Sequence, residues 1–124
     1  MTWHPICPVS DIIPNTGVAA LVAGKQIAVF RIKDRHGHEF LHALDNWDPV
    51  AKAMVMSRGI IGSKGDIPFI ASPIYKQHYD LRTGTGLDDP TVRLLVHAVR
   101  LTDDGMIHAR LETPGAPAAT PASG

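Results

Sequence analysis

The sequence predicts an all-β domain, a small antiparallel sandwich or barrel of short strands. Turn signals rich in glycine, aspartate and lysine recur at residues 23–24, 34–37, 64–66 and 103–105, and they divide the chain into short apolar runs. Several of these runs are rich in β-branched residues or alternate in polarity, which favours strands over helices. Short strands separated by closely spaced turns are typical of sandwiches and barrels.

Five strands can be placed from these patterns. Residues 17–22 and 26–32 flank a tight turn and are predicted to pair, and residues 39–44 continue the meander. Near the C-terminus, residues 96–101 and 107–111 alternate across an Asp-Asp-Gly turn. This last pair is the strongest predicted hairpin of the chain.

Helices have little support in the sequence. Residues 10–13 predict one helical turn with Ser10 as its cap, and residues 50–56 carry a weak helical pattern. No internal repeat is visible. Residues 112–124 hold several prolines and no large apolar side chain, so we expect a disordered Pro/Ala-rich tail after one domain of residues 1–111.

Composition excludes several classes of function. Twelve basic residues balance twelve acidic ones, so no net positive field favours nucleic acid or an anionic membrane. Cys7 is the only cysteine, which excludes an internal disulfide and any cluster held by several thiolates of this chain. The N-terminus does not resemble a signal peptide and no apolar run approaches the roughly 20 residues that span a bilayer, so we expect a cytoplasmic protein.

Two polar and aromatic segments, residues 44–49 and 71–84, resemble the two ligand loops of Rieske proteins. The second segment leads into an aromatic-Asp-Leu-x-Thr-Gly sequence, which in that family follows a Cys-Pro-x-His unit. The first segment lies where the family has Cys-x-His. The resemblance implies a Rieske-like fold in which these loops form an inserted subdomain.

The ligands of a Rieske centre are missing from both segments. By position, Asn46 and Asp48 replace the first Cys and His, and Ser72 and Tyr75 replace the second pair. A Rieske cluster needs two thiolates and two imidazoles, and amide, carboxylate, hydroxyl and phenol groups cannot supply that soft coordination. The resemblance therefore implies that this chain holds no cofactor, no metal and no catalytic residue.

Six short motifs in the right order resemble one branch of the family, the small subunit of assimilatory NAD(P)H-dependent nitrite reductase. They begin at Trp3, Asp11, Gln26, Asn46, Met56 and Ala71, and the likeness continues to about Leu111. This resemblance implies a large partner subunit that carries FAD, a [4Fe-4S] cluster and sirohaem and that reduces nitrite to ammonia. The chain would then support an oxidoreductase without being catalytic itself.

The two loops still present aromatic and basic side chains that are common at protein interfaces. The candidates for contact with the large subunit are Trp47, Arg58, Tyr75, Lys76 and Gln77. The alternatives are that these side chains only cap the sandwich, or that the chain is a free-standing Rieske-like binding module without redox activity. A role in electron transfer is disfavoured because no redox-active set of side chains remains.

Other motifs are weaker candidates for function. His36, His38 and His42 could place three imidazoles along one side of a strand and bind a surface metal, although a solvated hairpin turn explains them as well. The glycine-rich residues 59–65 lack the spacing of a phosphate-binding loop and are predicted to form a strand and a turn. Cys7 is predicted to be a small buried hydrophobe, and Trp3 and Phe30 are predicted to lie in the core.

Overall fold

The computed structural model describes residues 2–112 and confirms an all-β fold. The eleven strands are β1 His4–Pro8, β2 Thr16–Val22, β3 Lys25–Lys33, β4 Glu39–Asp45, β5 Trp47–Asp48, β6 Ala53–Met54, β7 Ile60–Lys64, β8 Ile67–Ala71, β9 His78–Asp80, β10 Val96–Leu101 and β11 Met106–Arg110. Two 3-10 helices span Val9–Asp11 and Met56–Arg58. No helix within residues 2–112 is long and apolar enough to cross a membrane. Apart from Glu112, the predicted tail lies outside the described residues.

Six strands form the main antiparallel sheet, in the order β1-β11-β10-β4-β3-β2. Its two edge strands, β1 and β2, approach each other, so the sheet curls into a nearly closed barrel. The two predicted hairpins are both confirmed: β2 and β3 pair from Thr16↔Arg31 to Val22↔Lys25, and β10 and β11 pair across the Asp-Asp-Gly turn. The predicted third strand is β4, which pairs along its whole length with β3.

A small subdomain is inserted between β4 and β10, as the resemblance implied. It contains the two-stranded β5–β6 ladder and the three-stranded sheet β7-β8-β9. The glycine-rich residues 59–65 form β7 and its turn, as predicted. The subdomain packs on the outer face of the main sheet, so β3 is buried on both faces.

The buried residues form two hydrophobic clusters, one on each side of β3. The cluster inside the barrel consists of Ile12, Val22, Ile27, Val29, Ala43, Ile107 and Ala109. The cluster between the sheet and the subdomain consists of Ala28, Phe30, Ile32, Leu44, Met56, Ile70, Tyr79, Leu81 and Leu94. Phe30 is fully buried there, as predicted, and its ring lies over Gly17, where a Cβ atom would approach it to 2.5 Å.

The structure confirms one helical turn near residues 10–13 but corrects its bounds and its cap, and it contradicts the helical pattern of residues 50–56. The first 3-10 helix begins after Pro8, and no side chain caps it, so Ser10 is not its cap. The segment of residues 50–56 contains β6 and only the first residue of the second 3-10 helix. It does not form an α-helix because the amides of Val55 and Met56 both donate to the carbonyl of Asn46, far outside the helical spacing.

Trp3 is not a core residue, contrary to the prediction. It is half-buried, with the guanidinium of Arg100 4.1 Å and that of Arg110 5.1 Å from its ring centre. Cys7 is half-buried beside the cluster inside the barrel. Burial, and then the charge of Asp11, raise the pKa of its thiol, so the reactive thiolate is disfavoured.

A buried histidine connects the end of β4 with the end of the described chain. The Nε2 atom of His97 lies 2.7 Å from Oδ1 of Asp45, and its Nδ1 atom accepts the amide of Glu112 at 3.0 Å. Burial raises the pKa of Asp45, but the hydrogen bond from His97 and the charge of Lys25 outweigh it and lower that pKa. This network fixes the point at which the chain leaves β4 and enters the first loop.

Candidate functional site

The two loops that resemble Rieske ligand loops lie together at one end of the molecule. We call this surface the tip and define it as residues 46–58 and 72–77. The first loop follows β4 and the second follows β8, and a side-chain hydrogen bond joins them. The tip therefore unites residues that are about two dozen positions apart in the sequence.

Asn46 is buried and organises the first loop from inside. Its Nδ2 atom donates to Oε1 of Gln26 at 3.2 Å, and its Oδ1 atom accepts the amide of Ser57 at 2.8 Å. Its backbone carbonyl accepts two further amides from the end of the same loop. The side chain thus closes the loop through Ser57 and attaches it to β3 through Gln26.

Asp48 and Ser72 form the bond between the loops. The Ser72 hydroxyl donates to Oδ2 of Asp48, while Oδ1 accepts the amides of Val50 at 2.9 Å and Ala51 at 3.1 Å. Both side chains are almost completely buried, so the carboxylate is stabilised by three donors rather than by water. The structure thus brings together two of the four positions where Rieske proteins have ligands.

Tyr75, at the fourth ligand position, faces solvent and is 63% exposed. Trp47 is also exposed, at 41%, as are Arg58 and Lys76. Gln77 is half-buried, and its carbonyl accepts the amide of Ser72 at 2.9 Å. Four of the five interface candidates are therefore accessible at the tip, whereas Gln77 mainly shapes the second loop.

The two loops contain the same five-residue turn, which we call the twin turns: Asp48-Pro-Val-Ala-Lys52 and Ser72-Pro-Ile-Tyr-Lys76. In each turn the first side chain accepts the amide of the third residue, and the first carbonyl accepts the amide of the lysine, at 2.7 Å and 3.0 Å. Both lysines have a positive φ, 56° and 58°. The sequence therefore contains a short repeat, contrary to the expectation that it has none.

The twin turns add further residues to the exposed surface. Beside Trp47 and Tyr75, the exposed apolar side chains of the tip are Val50, Met54 and Ile74. Met54 lies opposite Trp47 in the β5–β6 ladder. Lys52 adds a third exposed cation to Arg58 and Lys76. These four additional residues were not predicted, although the repeated Pro-aliphatic-x-Lys pattern was a signal for three of them.

The donor set of the tip does not fit a [2Fe-2S] cluster. Asp48 and Ser72 offer only oxygen atoms, which already bond to each other and to backbone amides. The chain has a single cysteine, and Cys7 lies in β1. Residues 2–112 contain no group of three or more His, Cys, Asp or Glu side chains arranged to hold a metal ion.

Behind the tip, the Tyr79 hydroxyl is buried and has no hydrogen-bond partner among the residues described. Burial, followed by the negative charge of Asp48, raises its pKa to about 12. The phenol therefore stays neutral at any physiological pH. It contributes to the cluster between sheet and subdomain rather than to proton transfer.

The three histidines suggested as a metal site do not converge. The rings of His36 and His38 lie 6.3 Å apart at the exposed β3–β4 turn, while His42 sits in the middle of β4 opposite Phe30. His42 is four positions after His38, about 13 Å between Cα atoms in extended chain, and no metal-holding group that includes them is found within residues 2–112. Burial lowers the pKa of His42 to about 4, which keeps it neutral at pH 7.

Comparison with known proteins agrees with the Rieske-like fold described above. The model of the Rieske-like [2Fe-2S] domain family matches residues 2–109. The ferredoxin of carbazole 1,9a-dioxygenase from Nocardioides aromaticivorans superposes with a TM-score of 0.74 at 19% identity, over 90% of this chain and all of that one. The chain belongs to the Rieske-like domain family by fold and sequence.

Closer relatives identify the branch. The small subunit of nitrite reductase (NADH) from Salmonella typhimurium is 35% identical over 108 residues, which are 87% of this chain and 96% of that protein. The nitrite reductase [NAD(P)H] small subunit from Erwinia carotovora superposes with a TM-score of 0.71 at 37% identity, covering 90% and 82% of the two chains. The chain belongs to the family of nitrite reductase small subunits.

A third relative has a different organisation. An 86-residue part of the nitrite reductase [NAD(P)H] large subunit from Klebsiella oxytoca is 40% identical to this chain, and it spans 69% of this chain but only 8% of that protein. A domain of the present type therefore also occurs inside a much longer polypeptide.

Proposed function

We propose that this chain is the non-catalytic small subunit of a cytoplasmic NAD(P)H-dependent nitrite reductase, and that its tip docks on the large subunit, which reduces nitrite to ammonia. The observation that carries the proposal is the tip itself. It presents five exposed apolar side chains and three cations at the end of a Rieske-like fold, and in this chain the cluster ligands of that fold are replaced. Exposed apolar patches of this kind are typical of interaction sites.

The Klebsiella oxytoca relative supports a stable association with the large subunit. In that protein a domain similar to this chain belongs to the large-subunit polypeptide itself. Two units that occur as one polypeptide in one organism are commonly partners where they occur as separate chains. This relationship also disfavours the alternative of a free-standing binding module.

The redox cofactors belong to the partner in this proposal. A single cysteine excludes a cluster with two thiolate ligands on this chain, and the oxygen atoms of Asp48 and Ser72 bond to each other instead. FAD, the [4Fe-4S] cluster and sirohaem are accordingly assigned to the large subunit. The role of this chain is to bind and position, with no electron passing through the tip.

The experiment is complex formation with the purified large subunit. Trp47→Ala and Tyr75→Ala are each expected to weaken association by about 1 to 4 kcal/mol, the range of buried aromatic anchors. Both side chains are exposed in the free domain, so thermal melts should be unchanged. Phe40→Ala is the matched control because Phe40 is a similarly exposed aromatic residue on β4, outside the tip.

The possible results separate the proposal from its rivals. Unchanged binding of both tip variants would move the interface elsewhere on the domain. Lost binding accompanied by a lower melting temperature would show that the aromatic residues only cap the fold. Equal weakening by Phe40→Ala would remove the assignment of the interface to the tip.

A further inference from the structure

The twin turns hold two lysines in a backbone conformation that lysine rarely adopts. Lys52 and Lys76 both occupy the left-handed region, with φ of 56° and 58°. A side chain with a Cβ atom is strained there, whereas glycine is not and asparagine is less so. Strained positions of this kind concentrate at functional sites. The presence of lysine rather than glycine at these two positions therefore suggests that the lysine side chain itself has a function at the surface.

The two lysines make no polar side-chain contact with the described part of the fold. Both are exposed, and neither forms a hydrogen bond or ion pair through its ammonium group with any residue from 2 to 112. Their backbone amides close the turns, but any residue other than proline would supply that amide. What distinguishes lysine at these positions is its charge.

The charge of the tip is one-sided. The chain as a whole has twelve basic and twelve acidic residues. Within the tip, however, the exposed charges are Lys52, Arg58 and Lys76, and the single carboxylate, Asp48, is buried. A positive surface on a neutral protein favours a partner surface that carries carboxylates.

The two lysines also have fixed positions relative to each other. The twin turns begin at Asp48 and Ser72, and the hydrogen bond between those side chains joins the turns at equivalent points. In each turn an exposed aliphatic residue, Val50 or Ile74, lies two positions before the lysine. The tip thus presents two equivalent pairs of an aliphatic and a cationic side chain.

We propose that the twin turns form a two-point recognition element in which Lys52 and Lys76 bind two carboxylates of the large subunit, next to an apolar contact made by Val50 and Ile74. This inference rests on the proposed docking of the tip and specifies its chemistry. The complementary surface is an apolar patch of the large subunit flanked by acidic side chains.

The test compares two double variants that remove the same net charge. Lys52→Gln with Lys76→Gln removes two of the three exposed cations of the tip, and Lys33→Gln with Lys64→Gln removes two exposed lysines on strands outside the tip. With the purified large subunit at low ionic strength, the tip variant is expected to associate about tenfold more slowly, and the control less than about twofold. At about 0.5 M salt the wild type and the tip variant should converge.

A second tip variant tests whether the two lysines serve binding rather than stability. Lys52→Gly with Lys76→Gly relieves the left-handed strain, so its melting temperature should equal or exceed that of the wild type. Its binding should nevertheless be as slow as that of the glutamine variant. A more stable protein that binds less well is the outcome that a purely structural role for the lysines does not produce.

Other outcomes overturn the proposal. If the tip glutamine variant binds like its control, the lysines do not recognise the partner, and docking itself stands provided that Trp47→Ala still weakens binding. If neither the lysine nor the aromatic variants change binding, both proposals fail together. If the glycine variant melts well below the wild type, the lysines serve the fold.

Discussion

The bond between Asp48 and Ser72 gives the sharpest prediction for stability. Asp48→Ala removes the acceptor that the Ser72 hydroxyl has among the described residues, and it removes the side-chain acceptor of the Val50 and Ala51 amides. It therefore loosens the first of the twin turns, which keeps the bond from the Lys52 amide to the Asp48 carbonyl, and it breaks the side-chain bond between the two loops. Ser72→Ala breaks the same connection from the other loop but leaves the two amides bonded.

The expected loss in free energy of unfolding depends on whether water can reach the donors that lose their acceptor. The Val50 and Ala51 amides are at a turn near solvent and can regain water, so each lost bond costs about 1 kcal/mol. The Ser72 hydroxyl is buried and costs about 1 to 3 kcal/mol when it is left without an acceptor. Relief from burying a charge offsets part of this sum. We expect Asp48→Ala to lower the free energy of unfolding by about 3 kcal/mol.

The assay is urea unfolding of purified domains, supported by thermal melts. A loss of about 3 kcal/mol corresponds to a melting temperature lower by about 10 °C for a domain of this size. Asp48→Asn is the matched control because its amide oxygen still accepts the two turn amides, and it should cost about 1 kcal/mol. The double variant with Ser72→Ala should be less destabilised than the sum of the single variants.

One result would refute this reasoning. If Asp48→Ala unfolds within about 0.5 kcal/mol of the wild type, the carboxylate does not join the loops, and the fixed spacing of the twin turns loses its basis.

Three further predictions concern pH, glycine and iron. His42 has a pKa of about 4 in the folded protein and an ordinary value of 6.5, so the unfolded chain binds the proton first as the pH falls. The stabilisation is complete above pH 6.5 and decreases by about 3 kcal/mol toward pH 4. Urea unfolding of His42→Leu across this range should lack that loss. Gly84→Ala and Gly24→Ala both place a side chain at positive φ, but only at Gly84 would the Cβ atom meet a backbone oxygen, that of Leu94 at 2.0 Å. Thermal melts should show that Gly24→Ala lowers the free energy of unfolding by about 1 kcal/mol and Gly84→Ala by at least about 2 kcal/mol more. The purified chain should be colourless, and iron and labile sulfide assays that found stoichiometric amounts would contradict the cofactor assignment.

The elements predicted correctly are those whose signals are local. The β2–β3 and β10–β11 hairpins each combine two short apolar runs with a tight turn, so a window of about 15 residues contains the whole pattern. Trp3 was placed wrongly because its surroundings are not local. It lies under Arg100 and Arg110, which reach it from β10 and β11 about a hundred residues later.

The tip was predicted in part for the same reason. The motifs identified the two loops and the exposed aromatic residues Trp47 and Tyr75. The resemblance places Asp48 and Ser72 at ligand positions of one centre and therefore near each other, but no pattern in the sequence indicates that these two side chains, 24 residues apart, bond directly. The left-handed lysines were also unpredictable, because lysine is not a residue whose presence indicates positive φ.

The bond between Ser72 and Asp48 also determines how this domain can mature. Where a metal centre joins two loops, folding waits for metal, and chelation or oxidation can release the loops again. Here the connection uses only atoms that the chain brings with it. This connection forms with the fold itself and involves neither iron nor a thiol, so neither chelation nor thiol oxidation acts on it.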